Sequence, residues 1–187
     1  MRIIAGEFKG RKLETPPNYE IRPTSEMVKE ALFSILINDI YGSTFLDLFS
    51  GTGAVGIEAC SRGAEKVFLV DKSRESISII KKNINKIGCQ DRITVLASDY
   101  KLALDRIKTD VDIVFADPPY DEGYNLEILE SLSERDVLSD NGIVIIEHSK
   151  RADLPDEFGI FEKYKYKKYG KKCLSFFRKK ILDYKFI

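Results

Sequence analysis

Four consecutive residues, Asp117-Pro118-Pro119-Tyr120, place a carboxylate, two ring-closed backbone units and a phenol side by side. Proline fixes φ and has no amide hydrogen, so the turn is stiff and the Pro118 carbonyl is free to accept. Such a turn can take the two hydrogens of a planar exocyclic amine, one on Asp117 and one on the Pro118 carbonyl. The nitrogen is then drawn toward tetrahedral geometry with its lone pair aimed at an electrophile, and Tyr120 can stack on the ring that carries it. The chemistry is amine alkylation, driven by positioning and charge placement.

An alkyl donor needs a cradle, and Gly51-Thr52-Gly53-Ala54-Val55-Gly56 supplies the G-x-G-x-x-G pattern between a strand and a helix. Glycines there let the backbone turn tightly and approach a ligand. Asp71, ending the next strand, suits ribose hydroxyls, a feature shared by dinucleotides and S-adenosylmethionine. Charge separates the two. Asp47, Asp71, Asp99 and Asp117 all fall at strand ends on one edge of the expected sheet. Such a rim repels a pyrophosphate, at roughly 4 kcal/mol per pair for charges about 4 Å apart in an effective dielectric of about 20. It favours the ammonium and sulfonium of S-adenosylmethionine. The chain has one histidine, His148, and no Tyr-x-x-x-Lys pair after a strand, so a dehydrogenase constellation is missing.

The elements that position these residues follow from periodicity. Residues 44–49, 66–70, 92–97, 111–116 and 142–147 read as strands, separated by helical patterns over 54–63, 74–87, 101–107 and 126–132. Ser73 is placed to cap the second of these helices and Gly88 to stop it. Continuous apolar runs such as VDIVFA and GIVIIE indicate strands covered on both faces, hence a parallel, doubly wound sheet. Residues 161–169 and 173–179 alternate around Gly170-Lys171-Lys172 and read as an antiparallel hairpin, giving a mostly parallel seven-stranded sheet. Ahead of it, Thr24 or Ser25 is expected to cap a helix running to about residue 37, and residues 1–23 to form a small basic β-hairpin arm apart from the domain at 24–187.

At 187 residues and 43% hydrophobic content one core is the default. Thirty basic and thirty acidic residues cancel, so any attraction to nucleic acid must come from local patches. Cys60, Cys89 and Cys173 are widely spaced, which argues against a disulfide framework or metal site and for a reducing cytoplasm. No apolar run reaches the ~18 residues of a membrane span, and a cytoplasmic monomer is expected. His148 reads as a strand-end contact, Cys60 as core, and Glu147 as a group that either orients substrate or caps a turn. The local patches are two: Arg2, Lys9, Arg11 and Lys12 with Arg22 at the N-terminal end, and the lysine- and tyrosine-rich C-terminal hairpin with Lys171 and Lys172 at its turn. Basic side chains neutralise phosphates and interleaved aromatics stack on bases, although lysines also serve to protect an edge strand.

Taken in order, MRIIAGEFKGRKLETP, RPTSEMVKEALFSIL, LDLFSGTGAVGIEACSRGA, DPPY and YGKKCLSFFRK resemble the bacterial RsmD-type 16S rRNA guanine-N2 methyltransferases over most of the chain. The resemblance implies a Rossmann-like class I methyltransferase fold, S-adenosylmethionine as donor, and the N2 amine of one guanine in 16S rRNA as acceptor, within an assembled or partly assembled small subunit. It assigns Asp47, Gly51 and Gly53 to the methionine part, Asp71 to the ribose, Asp99 to the adenine edge, and the DPPY residues to the base. Phe49, Ser50, Thr52, Lys72, Ser73 and Tyr100 complete the expected cofactor contacts. The family often carries a basic residue where this chain has Met27. Close variants of DPPY serve adenine N6, cytosine N4 and protein glutamine methylation, so from the tetrapeptide alone those acceptors stay open, as does an assembly factor that keeps the fold without turnover.

Overall fold

The computed structural model of the protein describes residues 1–16, 23–119, 123–152 and 154–181, with residues 23–25 in backbone only; Arg22 and Tyr120, singled out above, lie outside them. Five parallel strands, β1 (Thr44–Asp47), β2 (Lys66–Asp71), β3 (Ile93–Ala97), β4 (Val111–Ala116) and β5 (Leu138–Ser149), alternate with α2 (Ala54–Ser61), α3 (Arg74–Ile87), α4 (Tyr100–Arg106) and α5 (Tyr124–Arg135). α1 (Pro23–Ile35) precedes them; β6 (Glu157–Phe158), β7 (Phe161–Tyr169) and β8 (Lys172–Lys179) follow. The strand order is β3-β2-β1-β4-β5-β8-β7-β6. β8 runs antiparallel to β5, so the hairpin completes the sheet as expected.

The sheet has eight strands rather than seven. The additional one, β6, is a two-residue pairing of Glu157 and Phe158 with β7, too short to leave an alternating pattern in the sequence. α1 begins at Pro23 and ends at Ile35, so Thr24 and Ser25 lie inside its first turn and are not its caps. A proline at the first helical position loses no hydrogen bond, because that N–H has no helical partner. The helix signals of α3 hold: the Ser73 hydroxyl accepts from the Ser76 amide at 3.3 Å, and Gly88 stops the helix at φ 81°.

The N-terminal segment folds back on itself as a short hairpin, closed by the antiparallel bridge Arg2 to Lys12 and by hydrogen bonds from Ile3 N to Arg11 O at 3.0 Å and from Leu13 N to Met1 O at 3.0 Å. It lies against the domain, with Ile3 and Leu13 buried in the core that α1, α2 and α3 form over one face of the sheet. The Ile4 and Ala5 amides donate to the Glu58 carboxylate of α2 at 2.9 and 3.0 Å. α4 and α5 cover the other face. No helix among the described residues is long and apolar enough to cross a membrane.

Candidate active site

In an open α/β sheet a ligand binds where neighbouring strands send their connections to opposite faces. Here that point lies between β1, which leads into α2 on one face, and β4, which leads toward α5 on the other. A cleft of about 850 Å³ opens there, lined by residues from the glycine loop, the ends of β1, β2, β4 and β5, and the start of β8. Asp47 sits at its floor, 1% exposed. Burial, then the nearby charge of Asp117, push its carboxyl up to about 8, against the pull of the Phe49 and Gly56 backbone amides. One of its oxygens, Oδ1, has no hydrogen-bond partner among the described residues.

The glycine loop is held from several sides. The Ser50 hydroxyl donates to the Asp47 carbonyl at 2.9 Å and accepts from the Val70 amide at 3.0 Å, tying the loop to β2. Gly51 takes φ 56°, which a side chain disfavours. At Gly56 a Cβ would lie 2.1 Å from Leu69 Cδ2, so this glycine serves the close packing of α2 on β2. Asn83, fully buried on α3, donates to the Thr52 carbonyl at 2.9 Å and exchanges hydrogen bonds with the Glu14 backbone. Thus one side chain joins the loop to the N-terminal segment. One of two asparagines on an isoleucine-rich helix, it gives no sequence signal of that role.

Asp71 is preset by backbone donors: Oδ2 accepts from Gly51 N at 2.9 Å and Oδ1 from Ser73 N at 2.8 Å. A carboxylate has further lone pairs to offer a ligand. Lys72 and Ser73 form the adjoining rim, and Asp99 caps α4 by accepting from the Lys101 amide at 2.9 Å. Phe49 and Tyr100 pack at 5.4 Å between centroids, and Tyr124 meets Phe49 edge-on at 5.9 Å. This aromatic corner suits a flat ring, and Tyr124, at the start of α5, was absent from the sequence reading.

Across the cleft, Asp117 follows β4 with 42% of its side-chain surface open to solvent. Desolvation in the cleft and then the Glu147 carboxylate raise its carboxyl to about 7, while Lys172 pulls the other way; the solvent at its open side moderates that rise. Pro118 is buried and Pro119 exposed. Glu147, near the end of β5, is 6% exposed and ion-paired with Lys172 Nζ, which also lies 3.8 Å from Asp117 Oδ2. Sequence reasoning put Lys172 on the RNA-facing turn; the fold puts its ammonium inside the cleft. His148 points to the opposite face, its Nε2 2.8 Å from the Ser175 hydroxyl.

Of the other basic residues, Arg2, Lys9, Lys12 and Lys171 are exposed. Arg11 donates to the carbonyls of Ile87, at 2.6 Å, and of Lys86 at the C-terminus of α3, so its guanidinium anchors the N-terminal segment. Lys163, Arg178 and Lys179 of the hairpin pair with Asp156, Glu162 and Asp136.

The donor set fits S-adenosylmethionine. The orphaned Oδ1 of Asp47 at the cleft floor wants a cationic partner, a preset carboxylate stands at Asp71, and an aromatic corner lies beside Asp99. Fold and site together define a Rossmann-like class I methyltransferase architecture. The family model described as Conserved hypothetical protein 95 matches residues 1–178, and the chain belongs to that family, the RsmD family. The chain is 34% identical over 155 residues to the Escherichia coli K12 protein named ribosomal RNA small subunit methyltransferase D, covering 83% of this chain and 78% of that one. Bacillus subtilis YlbH is 32% identical over 183 residues, 96% of this chain and 100% of the relative. The solved structure of Escherichia coli yhhF matches with a TM-score of 0.85 at 28% identity, over 96% of this chain and 98% of that one.

Proposed function

We propose that the protein transfers the methyl group of S-adenosylmethionine to the exocyclic N2 amine of a guanine in 16S rRNA, as a cytoplasmic monomer acting on the small ribosomal subunit or an assembly intermediate. One juxtaposition carries the reading: the Asp117-Pro118 turn opens into the same cleft as the glycine loop and the unpartnered Oδ1 of Asp47. The relative named for small-subunit rRNA supports the substrate class.

When bound, S-adenosylmethionine supplies a methyl group on a sulfonium that leaves as a neutral thioether. Asp47 faces its ammonium, Asp71 the ribose and Asp99 the adenine edge, with Phe49, Ser50, Thr52, Lys72, Ser73 and Tyr100 closing the walls. The Asp117 carboxylate and the Pro118 carbonyl each accept one hydrogen of the amine, orienting its lone pair. As the C–N bond forms, positive charge builds on nitrogen, and one proton passes to Asp117 and on to solvent. Tyr120 supplies stacking on the base, and Arg2, Lys9, Lys12, Arg22 and Lys171 supply phosphate contacts.

Mass spectrometry of rRNA nucleosides from a deletion strain tests this. N2-methylguanosine in 16S rRNA falls on deletion, returns with the wild-type chain, and does not return with Asp117→Ala. An unchanged N2-methylguanosine level with loss of another methylated nucleoside refutes the acceptor.

A further inference from the structure

Lys172 opens β8 opposite Ser149 in the antiparallel register with β5, two positions beyond Glu147. That register delivers its ammonium to the edge of the sheet where β4 ends and Asp117 begins. The Glu147 side chain is 7% exposed, and a carboxylate so far out of water requires a cation. Lys172 is that cation, and the same Nζ lies 3.8 Å from Asp117 Oδ2. One ammonium therefore serves two carboxylates, one buried and one open to the acceptor side.

We propose that Lys172 is a positioning residue for methyl transfer: its ammonium, anchored on Glu147, holds the Asp117 carboxylate ionised and turned toward the acceptor amine. The proposal rests on the function assigned to Asp117 above. The charges that face Asp117 come from three strands. Glu147 from β5 opposes its ionisation and Lys172 from β8 favours it, while Asp47 from β1, its own carboxyl pushed up to about 8, is still protonated where Asp117 titrates. Lys29, the cation lining the cleft from α1, is held 3.1 Å from Glu58 and 2.8 Å from the Arg2 carbonyl. An amine acceptor needs Asp117 as a carboxylate, since a protonated carboxyl offers a donor where the amine presents one. Burial beside Glu147 already brings the Asp117 carboxyl up to about 7 with Lys172 in place, so this cation decides its state near neutrality. The same two carboxylates screen Lys172 from a phosphate, for which the exposed neighbour Lys171 is better placed.

The experiment follows the Asp117 carboxyl by carbon-13 NMR titration of the full chain without RNA, assigned with Asp117→Asn. Alongside it runs the pH dependence of kcat/KM for methyl transfer to 16S rRNA particles. Lys172→Met raises both the NMR midpoint and the acid limb of kcat/KM by about one pH unit, as expected for loss of an opposite charge within ~4 Å. Glu147→Gln moves both the other way, a pair of opposite displacements that a general loss of folding does not produce. Lys172→Arg restores the wild-type values and serves as the comparison if the methionine variant does not fold. An Asp117 midpoint unmoved by Lys172→Met overturns the proposal. So does a weakened, less salt-dependent RNA affinity with the acid limb in place, which marks Lys172 as a phosphate contact. If the wild-type chain methylates no 16S rRNA, the functional reading fails, and the NMR midpoint still reports the electrostatic pairing separately.

Discussion

Lys29 Nζ lies 3.1 Å from Glu58 Oε2, and both side chains are buried. Glu58 also accepts from the Ile4 and Ala5 amides and from Arg62 Nε at 2.8 Å, so a single carboxylate clamps α1, α2 and the N-terminal segment. Burial works against its ionisation, but Lys29, the Ile4 amide and Arg62 hold its carboxyl below the ordinary glutamate value. The stabilisation is therefore present above that value and fades as pH falls through the lowered one.

Removing one member of such a pair strands the other. Glu58→Gln, which leaves Lys29 buried without its counter-ion, is expected to cost about 3 to 5 kcal/mol. Urea unfolding measures it, and hydrogen exchange at Ile4 and Ala5 should accelerate beyond the change in global stability. A cost below about 1 kcal/mol, or protected amides at both positions, speaks against the clamp.

At Asp47 stability and ligand binding pull in opposite directions. Its folded value of about 8 lies above the ordinary 3.8, so the folded state binds more protons than the unfolded state between those values. This carboxyl's favourable contribution is full in acid and is lost as pH rises through about 8. Asp47→Asn is expected to raise Tm at pH 9 by about 3 °C, equivalent to ~1 kcal/mol in a domain of this size, and to abolish S-adenosylmethionine binding. In the wild-type chain, binding below pH 8 should release a proton, seen by calorimetry in buffers of different ionisation enthalpy. Proton-neutral binding at pH 7 contradicts the assignment.

Asn83 is predicted to act on the donor side without touching the chemistry. Asn83→Leu removes the donors to the Thr52 and Glu14 carbonyls and the acceptor for the Glu14 amide. Kd for S-adenosylmethionine should rise about tenfold, matching ~1.4 kcal/mol, with kcat at saturating donor little changed. A fall in kcat at unchanged Kd assigns Asn83 elsewhere.

Gly56→Ala tests the packing beneath the loop. The new methyl group would meet Leu69 Cδ2 and Val67 Cγ1, both on buried β2 side chains, and overpacking of this kind costs about 1 to 3 kcal/mol. Thermal unfolding reads the loss; an unchanged Tm shows that Leu69 can turn away.

The fold was legible because its signals are local: strand runs bounded by turns, Ser73 and Gly88 around α3, and alternation on either side of Gly170. The glycine loop and DPPY were legible for the same reason. Asn83, Tyr124 and Lys172 were not, because their roles depend on strand order and register. Lys172 sits in a basic run that reads as solvated surface until β8 is known to pair with β5 at Ser149. Arg11 likewise looked like an RNA contact, yet it meets the carbonyl end of a helix more than seventy residues away in the chain.

The placement of β8 between β5 and β7 has a consequence for biosynthesis. The strand that carries Lys172 to Asp117 follows all seven other strands in chain order, yet it is interior to the sheet. Until it emerges, β5 presents an unpaired edge and the Asp117 side of the cleft lacks Lys172. Non-local pairing of this kind is slow to form and exposes such edges in the meantime. A nascent chain can thus build the glycine-loop half of the cleft early, and completes the Asp117 half only once β8 has emerged and paired with β5.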